Sequence, residues 1–113
     1  MSANGKPFST EQINLARQVS LQAVLDALGC YVKQDDTFQP KNPAAGSIRV
    51  EVNYLGRNFR FIITGEKWLN ELVDRDAPRR GGGGAIDFYQ HITGANFIEA
   101  VTACLAITTA RLP

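Results

Sequence analysis

The chain of 113 residues has few side chains of the kind that hold a structural metal ion: two cysteines, Cys30 and Cys104, and one histidine, His91. A closed zinc site takes four Cys or His ligands, usually supplied as closely spaced pairs. Because none of these three residues forms such a pair, we expect no zinc site and no other cofactor. Each cysteine lies in an apolar stretch, so buried, reduced thiols are expected rather than a disulfide.

Long apolar runs and an excess of one charge are also missing. No run approaches the 18 or more apolar residues of a membrane span, and residues 1–10 have no apolar core of a secretory signal. We therefore expect a cytoplasmic protein that does not associate with membranes. The net charge is only +1, so any binding of nucleic acid must depend on local clusters of basic residues.

The composition that is present is typical of one globular domain. Hydrophobic residues make up 44% and charged residues 20% of the chain, which excludes wholesale disorder. We predict a disordered tail over residues 1–8, a folded domain over residues 9–107 and a C-terminal tail over residues 108–113.

The first part of the domain is predicted to be helical. Ser9 and Ser20 are suitable N-caps, each followed by a helical pattern. The second pattern places apolar residues on one helix face, and Gly29 follows where a left-handed residue ends a helix. The apolar residues of that face are Leu21, Val24, Leu25 and Leu28.

Short strands are predicted next. Residues 31–33 and 37–39 look like a strand and its return, followed by a loop over residues 40–47. Apolar residues at every second position over residues 48–54 and 59–63 predict a hairpin with one face on the core and the other presenting Arg49, Glu51 and Arg60. Residues 67–73 fit either a helix or a strand. Residues 81–84 are four glycines.

The end of the domain is predicted to contain two helices. The first covers residues 85–92 and ends at Gly94, and the second begins near Phe97. The expected fold class is therefore α+β: an N-terminal helix, a small antiparallel sheet and two C-terminal helices.

Two segments resemble the end of the zinc-binding domain that opens bacterial-type DNA primases. They are Gly-Gly-Gly-Ala-Ile-Asp-Phe at residues 82–88 and Phe-Ile-Glu-Ala-Val at residues 97–101. In that family a glycine-containing turn precedes a helix with Ala-Ile-Asp-Phe, and a second helix has Phe-x-Glu-Ala-Val. The helix over residues 19–28, with Gly29 and a strand after it, resembles the family's opening helix. The resemblance covers roughly residues 10–106 and implies a role in recognising template and supporting primer initiation.

The chain departs from that family at its metal ligands. The family's Cys-x-x-His and Cys-x-x-Cys pairs should fall near residues 40–47 and 76–82, which read Pro-Lys-Asn-Pro-Ala-Ala-Gly-Ser and Asp-Ala-Pro-Arg-Arg-Gly-Gly. All four ligands are missing, so the resemblance implies a sheet similar to a zinc ribbon without its zinc. The chain is similar in this respect to zinc-free domains fused to toprim-type primase modules on plasmids, integrative elements and phages, and the resemblance implies that context.

Catalysis by this chain is not expected. A toprim centre needs clustered carboxylates that hold magnesium, whereas the acidic residues here are dispersed. The adjacent Asp35 and Asp36 are interpreted as a solvated turn. Asp87 and His91 lie one helical turn apart without a nucleophile, so we expect a surface Asp–His pair, with Asp87 complementing the helix dipole or forming a cap hydrogen bond.

The glycine run has two interpretations. Gly82 and Gly83 let backbone amides approach an anion, a helix N-terminus follows, and Arg79 and Arg80 precede them, so the segment could hold a phosphate. The alternative is a flexible loop followed by close packing of helix on sheet.

The hairpin supplies a second candidate surface for single-stranded nucleic acid. Arg49, Arg57, Arg60 and Lys67 would form a basic patch if they shared the exposed sheet face, and Trp68 would offer a ring for base stacking. The alternative is that the arginines solvate the face and Trp68 belongs to the core.

Two functions remain open at this point. The first is a DNA-binding accessory domain in the replication or priming of a mobile genetic element, with single-stranded DNA as the partner. The second is a protein-interaction module that docks onto a primase, polymerase or helicase. A contiguous basic face favours the first, and dispersed arginines with an exposed apolar patch favour the second.

Overall fold

Within residues 7–110, which the structure (a computed structural model) describes, one face of a five-stranded antiparallel sheet packs against the helices. The predicted α+β class is confirmed. In chain order the elements are α1 (Thr10–Arg17), α2 (Leu21–Leu28), β1 (Tyr31–Gln34), a short 3-10 helix (Pro43–Ala45), β2 (Ile48–Tyr54), β3 (Arg57–Thr64), β4 (Lys67–Asn70), β5 (Gly81–Gly83), α3 (Ala85–Thr93) and α4 (Phe97–Ala110).

Side-chain caps fix the ends of the first two helices as the sequence predicts. Ser9 Oγ accepts a hydrogen bond from the Gln12 N–H at 3.1 Å, and Gln12 Oε1 accepts one from the Ser9 N–H at 2.8 Å. Ser20 Oγ accepts from the Ala23 N–H at 3.1 Å. Gly29 ends α2 with a φ of 67°, a conformation that costs glycine little because it has no Cβ. The chain therefore turns sharply from α2 into the sheet.

The sheet is a meander with the order β1-β2-β3-β4-β5. The predicted hairpin is confirmed: Val50 pairs with Phe61 and Val52 with Phe59, and all four side chains are buried. The two strands are joined by Leu55 and Gly56, both at positive φ, which is typical of a two-residue hairpin turn.

Two segments differ from the prediction, and a third adopts one of the two alternatives that the sequence left open. Residues 37–39 are not a strand, because the Asp35 carboxylate accepts hydrogen bonds from the N–H and hydroxyl of Thr37 and closes a turn there. Strand β1 pairs with β2 instead. The ambiguous segment after residue 66 forms β4, and three of the four glycines form β5 rather than a loop.

The core lies between the inner sheet face and the helices. Phe61 is fully buried at its centre, with its ring 4.8 Å from that of Phe88 and 5.8 Å from that of Trp68. Cys104 is buried and free, and burial raises its pKa to about 11. Cys30 is free and half-buried. The predicted burial is therefore found for Cys104, and Cys30 is only partly buried.

The two ends of the chain differ in how far the structure describes them. Of the predicted tail over residues 1–8, residues 1–6 lie outside the described residues, as do residues 111–113 at the other end. Helix α4 continues to Ala110, past the predicted domain end at residue 107. Among the described helices, none is by itself both long and apolar enough to cross a membrane; α3 and α4 pass that test only as a pair bent by 118°.

Candidate nucleic-acid interface

Two of the predicted arginines, Arg49 and Arg60, lie on the outer sheet face, and both form ion pairs with carboxylates. Arg49 donates to Glu71 at 2.8 Å and to Asp35 at 3.2 Å, and Arg60 donates to Glu51 at 2.7 Å. The hydrogen bonds to Glu71 and then Asp35 raise the pKa of Arg49. Hydrogen bonds from Thr37, and then from Arg49, lower the pKa of Asp35. The outer face is therefore close to neutral where the sequence suggested a basic patch.

Arg57 lies on the opposite face of the sheet. Side chains alternate along a strand, so Arg57 shares its face with Phe59 and not with Arg60. Its guanidinium is 5.3 Å from the centre of the Phe59 ring, and its Nη1 donates to the Ile92 carbonyl at 3.3 Å. Arg49, Arg57 and Arg60 consequently do not form one surface, and the predicted common basic face is wrong.

Trp68 belongs to the core. It is 5% exposed, with its ring 5.7 Å from that of Phe88 and 4.7 Å from that of His91. It therefore offers no exposed ring for stacking, which is the alternative that the sequence left open. Its indole Nε1 is buried without a hydrogen-bond partner among the described residues.

Two of the three glycines of β5 are required by their neighbours. A Cβ at Gly81 would lie 2.6 Å from the Trp68 carbonyl oxygen, and one at Gly82 would lie 3.1 Å from the Trp68 ring. A Cβ at Gly83 would meet nothing within 4 Å. Close packing on β4 therefore explains the first two glycines, and the flexible loop of the alternative interpretation is wrong.

Strand β5 also presents backbone amides at the end of the sheet. The Arg80 carbonyl accepts from the Asn70 N–H, and the Gly84 N–H donates to the Glu66 carbonyl. Because successive residues in a strand face opposite ways, the N–H groups of Gly81 and Gly83 face away from β4. They lie at the open edge of the sheet.

Three of the predicted cations flank this edge. Lys67 pairs with Gly83 in the ladder, and Arg79 and Arg80 directly precede β5. No described residue forms an ion pair with any of the three. Arg80 donates through Nε to the Val73 carbonyl at 3.1 Å, whereas Arg79 is exposed and makes no side-chain hydrogen bond within residues 7–110. Arg79 has a φ of 62°, a strained conformation for a residue with a Cβ.

A cavity of about 390 Å³ lies between β5 and α3. A volume of this size suits one small ligand. Its lining includes Trp68, Arg79, Asp87, Gln90, His91 and Gly94. The cavity thus brings together Trp68 and Arg79, which were predicted as site residues, and Asp87 and His91, which were predicted as a surface pair.

His91 borders the cavity as a neutral imidazole. Burial, and then the charge of Arg57, lower its pKa. Its Nε2 is 2.9 Å from the Asn70 amide nitrogen, while Asn70 Oδ1 accepts from the N–H groups of Arg60 and Leu72. Asn70 Nδ2 is therefore the donor, and the proton of neutral His91 is on Nδ1. The predicted surface pair with Asp87 is wrong, because His91 bonds to Asn70.

Asp87 lies in the first turn of α3, where its charge complements the helix dipole. Its carboxylate makes no hydrogen bond or ion pair with a described residue, so the predicted cap hydrogen bond is absent from that part of the chain. Within residues 7–110, no three His, Cys, Asp or Glu side chains are grouped so that they could hold a metal ion.

Sequence reasoning missed Asn70 and Gln90 at this site. Asn70 is 3% exposed and follows Trp68 at the spacing of two that marks the inner face of a strand. A polar residue at such a position indicates a buried hydrogen-bond network, once the segment is known to be a strand.

No protein-family model matches the chain, and neither a search of curated proteins nor a search of solved structures found a match. The resemblance to the primase domain therefore stays a prediction that depends on residues 82–88 and 97–101.

Proposed function

We propose that this chain is a nucleic-acid-binding accessory domain in the DNA replication or priming of a mobile genetic element, and that it engages single-stranded DNA. The observation that carries the proposal is the open edge of β5, where glycine amides lie beside cations without carboxylate partners. The replication context is supported only by the resemblance of residues 82–88 and 97–101 to primase domains.

The edge of β5 has the chemistry that a phosphate requires. Glycines leave the backbone N–H groups of Gly81 and Gly83 open to a close approach, and amide donors together with a guanidinium bind phosphate oxygens well. Arg79 is the cation best placed to bind such a phosphate, since it is exposed and forms no ion pair within the described chain. Lys67, which pairs with Gly83 in the ladder, and Arg80, which directly precedes β5, add positive charge nearby.

The hairpin arginines have a structural role in this proposal. Arg49 and Arg60 are committed to Asp35, Glu71 and Glu51, and breaking those pairs to bind a phosphate would leave carboxylates facing the DNA. The binding surface is therefore smaller than the sequence suggested, and the affinity expected from so few phosphate contacts is modest.

The test is fluorescence anisotropy of a labelled single-stranded oligonucleotide at several salt concentrations. The slope of log affinity against log salt is negative, and each lost phosphate contact makes it shallower by roughly 0.7 for a single strand. Arg79→Ala should make it shallower by about that amount. Arg75→Ala is the matched control, because Arg75 is an exposed arginine in the same connection and should leave the slope unchanged. Absence of binding at low salt, or equal losses in both variants, would contradict the proposal.

A protein-interaction module is the second candidate, with a primase, polymerase or helicase as partner. It is favoured by the neutral outer sheet face and by Phe97 and Ile98, which are 41% and 52% exposed side by side at the start of α4. A purified replication protein that binds the wild-type chain but not Phe97→Ser, in the absence of DNA binding, would favour this function instead.

A further inference from the structure

We propose that Asn70 and His91 act together as a pH-sensitive clamp on the connection between β4 and β5, which carries Arg79, and that protonation of His91 releases that connection. The consequence for phosphate binding at the edge of β5 rests on the function proposed above, whereas the coupling of His91 to the connection does not. Asn70 and His91 are positioning residues in this proposal, because neither is required to touch the phosphate.

The connection between β4 and β5, residues 71–80, begins next to Asn70 and returns to it. The Asn70 N–H donates to the Arg80 carbonyl at 2.8 Å, and the Val73 N–H donates to the Asn70 carbonyl at 3.2 Å. Arg80 Nε in turn donates to the Val73 carbonyl at 3.1 Å. Arg79 directly precedes Arg80, so the position of its backbone depends on how firmly Asn70 is held.

The side chain of Asn70 is held by three partners. Its Oδ1 accepts from the N–H groups of Arg60 and Leu72 at 3.3 and 3.1 Å, and its Nδ2 lies 2.9 Å from His91 Nε2. Asn70 is 3% exposed, and a buried polar group that loses its partner is destabilising because water does not replace the lost bond. One side chain therefore ties β3, the connection and α3 together.

All three bonds can form only while His91 is neutral. Two N–H groups require Oδ1 of Asn70, so the amide must present Nδ2 to the imidazole, and Nε2 must accept. Protonation turns Nε2 into a donor that faces the donor Nδ2. Rotating the amide by half a turn would satisfy His91 but would place Nδ2 against the N–H groups of Arg60 and Leu72. No orientation of Asn70 satisfies an imidazolium and both backbone donors, so protonation must break part of the network.

The surroundings of His91 favour its neutral form. Three aromatic rings lie with their centres 4.7 to 5.8 Å from that of the imidazole: those of Phe59, Phe61 and Trp68. Burial, and then the charge of Arg57 on β3, lower the pKa of His91. Of the charged residues that line the cavity beside it, Arg79 opposes protonation and Asp87, one helical turn earlier on α3, favours it. The one charged residue of β4, Lys67, lies on the other face of the sheet from Trp68.

The single histidine of the chain makes the coupling measurable, because no other side chain ordinarily titrates between about pH 5 and 8. A series of ¹H–¹⁵N spectra over that range follows the imidazole nitrogens and the backbone amides together. The amide resonances of Leu72 and Gly81 should shift with the same midpoint as His91. They should show no such step in His91→Gln, because glutamine can accept from Asn70 Nδ2 at every pH.

Fluorescence anisotropy with labelled oligothymidylate, whose base does not titrate in this range, measures the consequence for binding. Added positive charge on a protein ordinarily strengthens its binding to a polyanion, whereas release of the connection should weaken it. We expect the affinity of the wild type to fall as pH decreases, by up to about tenfold per pH unit below the pKa of His91. The affinity of His91→Gln should not fall.

Asn70→Asp distinguishes the clamp from a merely structural role for Asn70. A carboxylate at this position accepts from the N–H groups of Arg60 and Leu72 and also from the Nε2–H of a charged imidazole, so the network is complete when His91 is protonated. The variant should raise the pKa of His91 and bind oligothymidylate more tightly as pH decreases. Asn42→Asp adds the same charge on the exposed 3-10 helix; it is the matched control and should keep the wild-type profile.

The outcomes separate the clamp from the proposed function. Amide shifts that do not follow the midpoint of His91, or a wild-type affinity that rises as pH decreases, would overturn the clamp and leave the proposed function intact. If no strand binds at any pH, the proposed function fails, and a midpoint shared by His91 and the amides still supports the clamp while its absence overturns it. If the amide dispersion shows that Asn70→Asp does not fold, the comparison of wild type with His91→Gln decides.

Discussion

Gly81→Ala and Gly83→Ala are expected to have opposite effects on stability, although they place the same methyl group two residues apart in one strand. At Gly81 the new Cβ would lie 2.6 Å from the Trp68 carbonyl oxygen, whereas at Gly83 it would meet nothing within 4 Å. Neither residue has the positive φ that disfavours alanine. Contact with a backbone atom cannot be relieved by a rotamer change, so at Gly81 the ladder between β4 and β5 must open.

The size of the two effects follows from the kind of contact. Overpacking of this kind typically costs 1–3 kcal/mol, so the free energy of unfolding should fall by about 1–3 kcal/mol for Gly81→Ala. Gly83→Ala restricts the unfolded chain without strain and should leave stability unchanged or raise it by about 0.4–1 kcal/mol. Equilibrium urea denaturation of both variants measures the difference. Equal stabilities for the two variants, or a larger loss for Gly83→Ala, would refute the argument.

Three further predictions concern the core, the histidine and the outer face. Phe61→Ala should lower the free energy of unfolding by about 3–5 kcal/mol in urea denaturation, because the ring is fully buried, while Leu72→Ala on the surface should cost under about 0.5 kcal/mol. Folding lowers the pKa of His91, so just below pH 6.5 the unfolded chain binds more protons than the folded protein. The contribution of His91 to the free energy of unfolding is therefore present above that pH and is lost as pH decreases, by at most about 1.4 kcal/mol per pH unit. His91→Gln should flatten the profile of stability against pH between pH 7.5 and 5.5. Arg49→Met should lower the urea midpoint more than Arg60→Met, because Arg49 joins two carboxylates and Arg60 one; the opposite order would contradict the assigned roles.

The helices and the hairpin could be predicted because their determinants are local. Ser9, Ser20 and Gly29 mark helix ends by the hydrogen bonds and dihedral angles they favour, and the alternation around Val50 and Phe61 fixes a register. These features need no knowledge of the rest of the chain.

The last two strands could not be predicted in the same way. Strand β5 consists of glycines, which have no side chain to show alternation and are disfavoured in strands in general. At Gly81 and Gly82 the Trp68 carbonyl and ring approach so closely that only glycine fits. Such a requirement comes from the tertiary structure, so the run of glycines alone favours a loop.

The candidate site could be predicted only in part, because some of its contacts also come from the tertiary structure. Arg79 and Arg80 directly precede the glycines, and neither forms an ion pair with a described residue. The ion pairs of Arg49 and Arg60 could not be predicted, because charge along the sequence does not show which carboxylates fold against it. Asp35 and Glu71 are distant from Arg49 in sequence and adjacent to it in space.

The ion pairs of Arg49 link two connections of the sheet that are distant in sequence. Asp35 opens the connection from β1 to β2, and Glu71 opens the connection from β4 to β5. The Arg49 guanidinium contacts both carboxylates and lies 4.6 Å from the centre of the Phe38 ring. One cation of the protein itself thus links the two connections. The charge of Arg49 is therefore neutralised within the fold, whereas Arg79 and Lys67 near the edge of β5 are exposed and form no ion pair with a described residue.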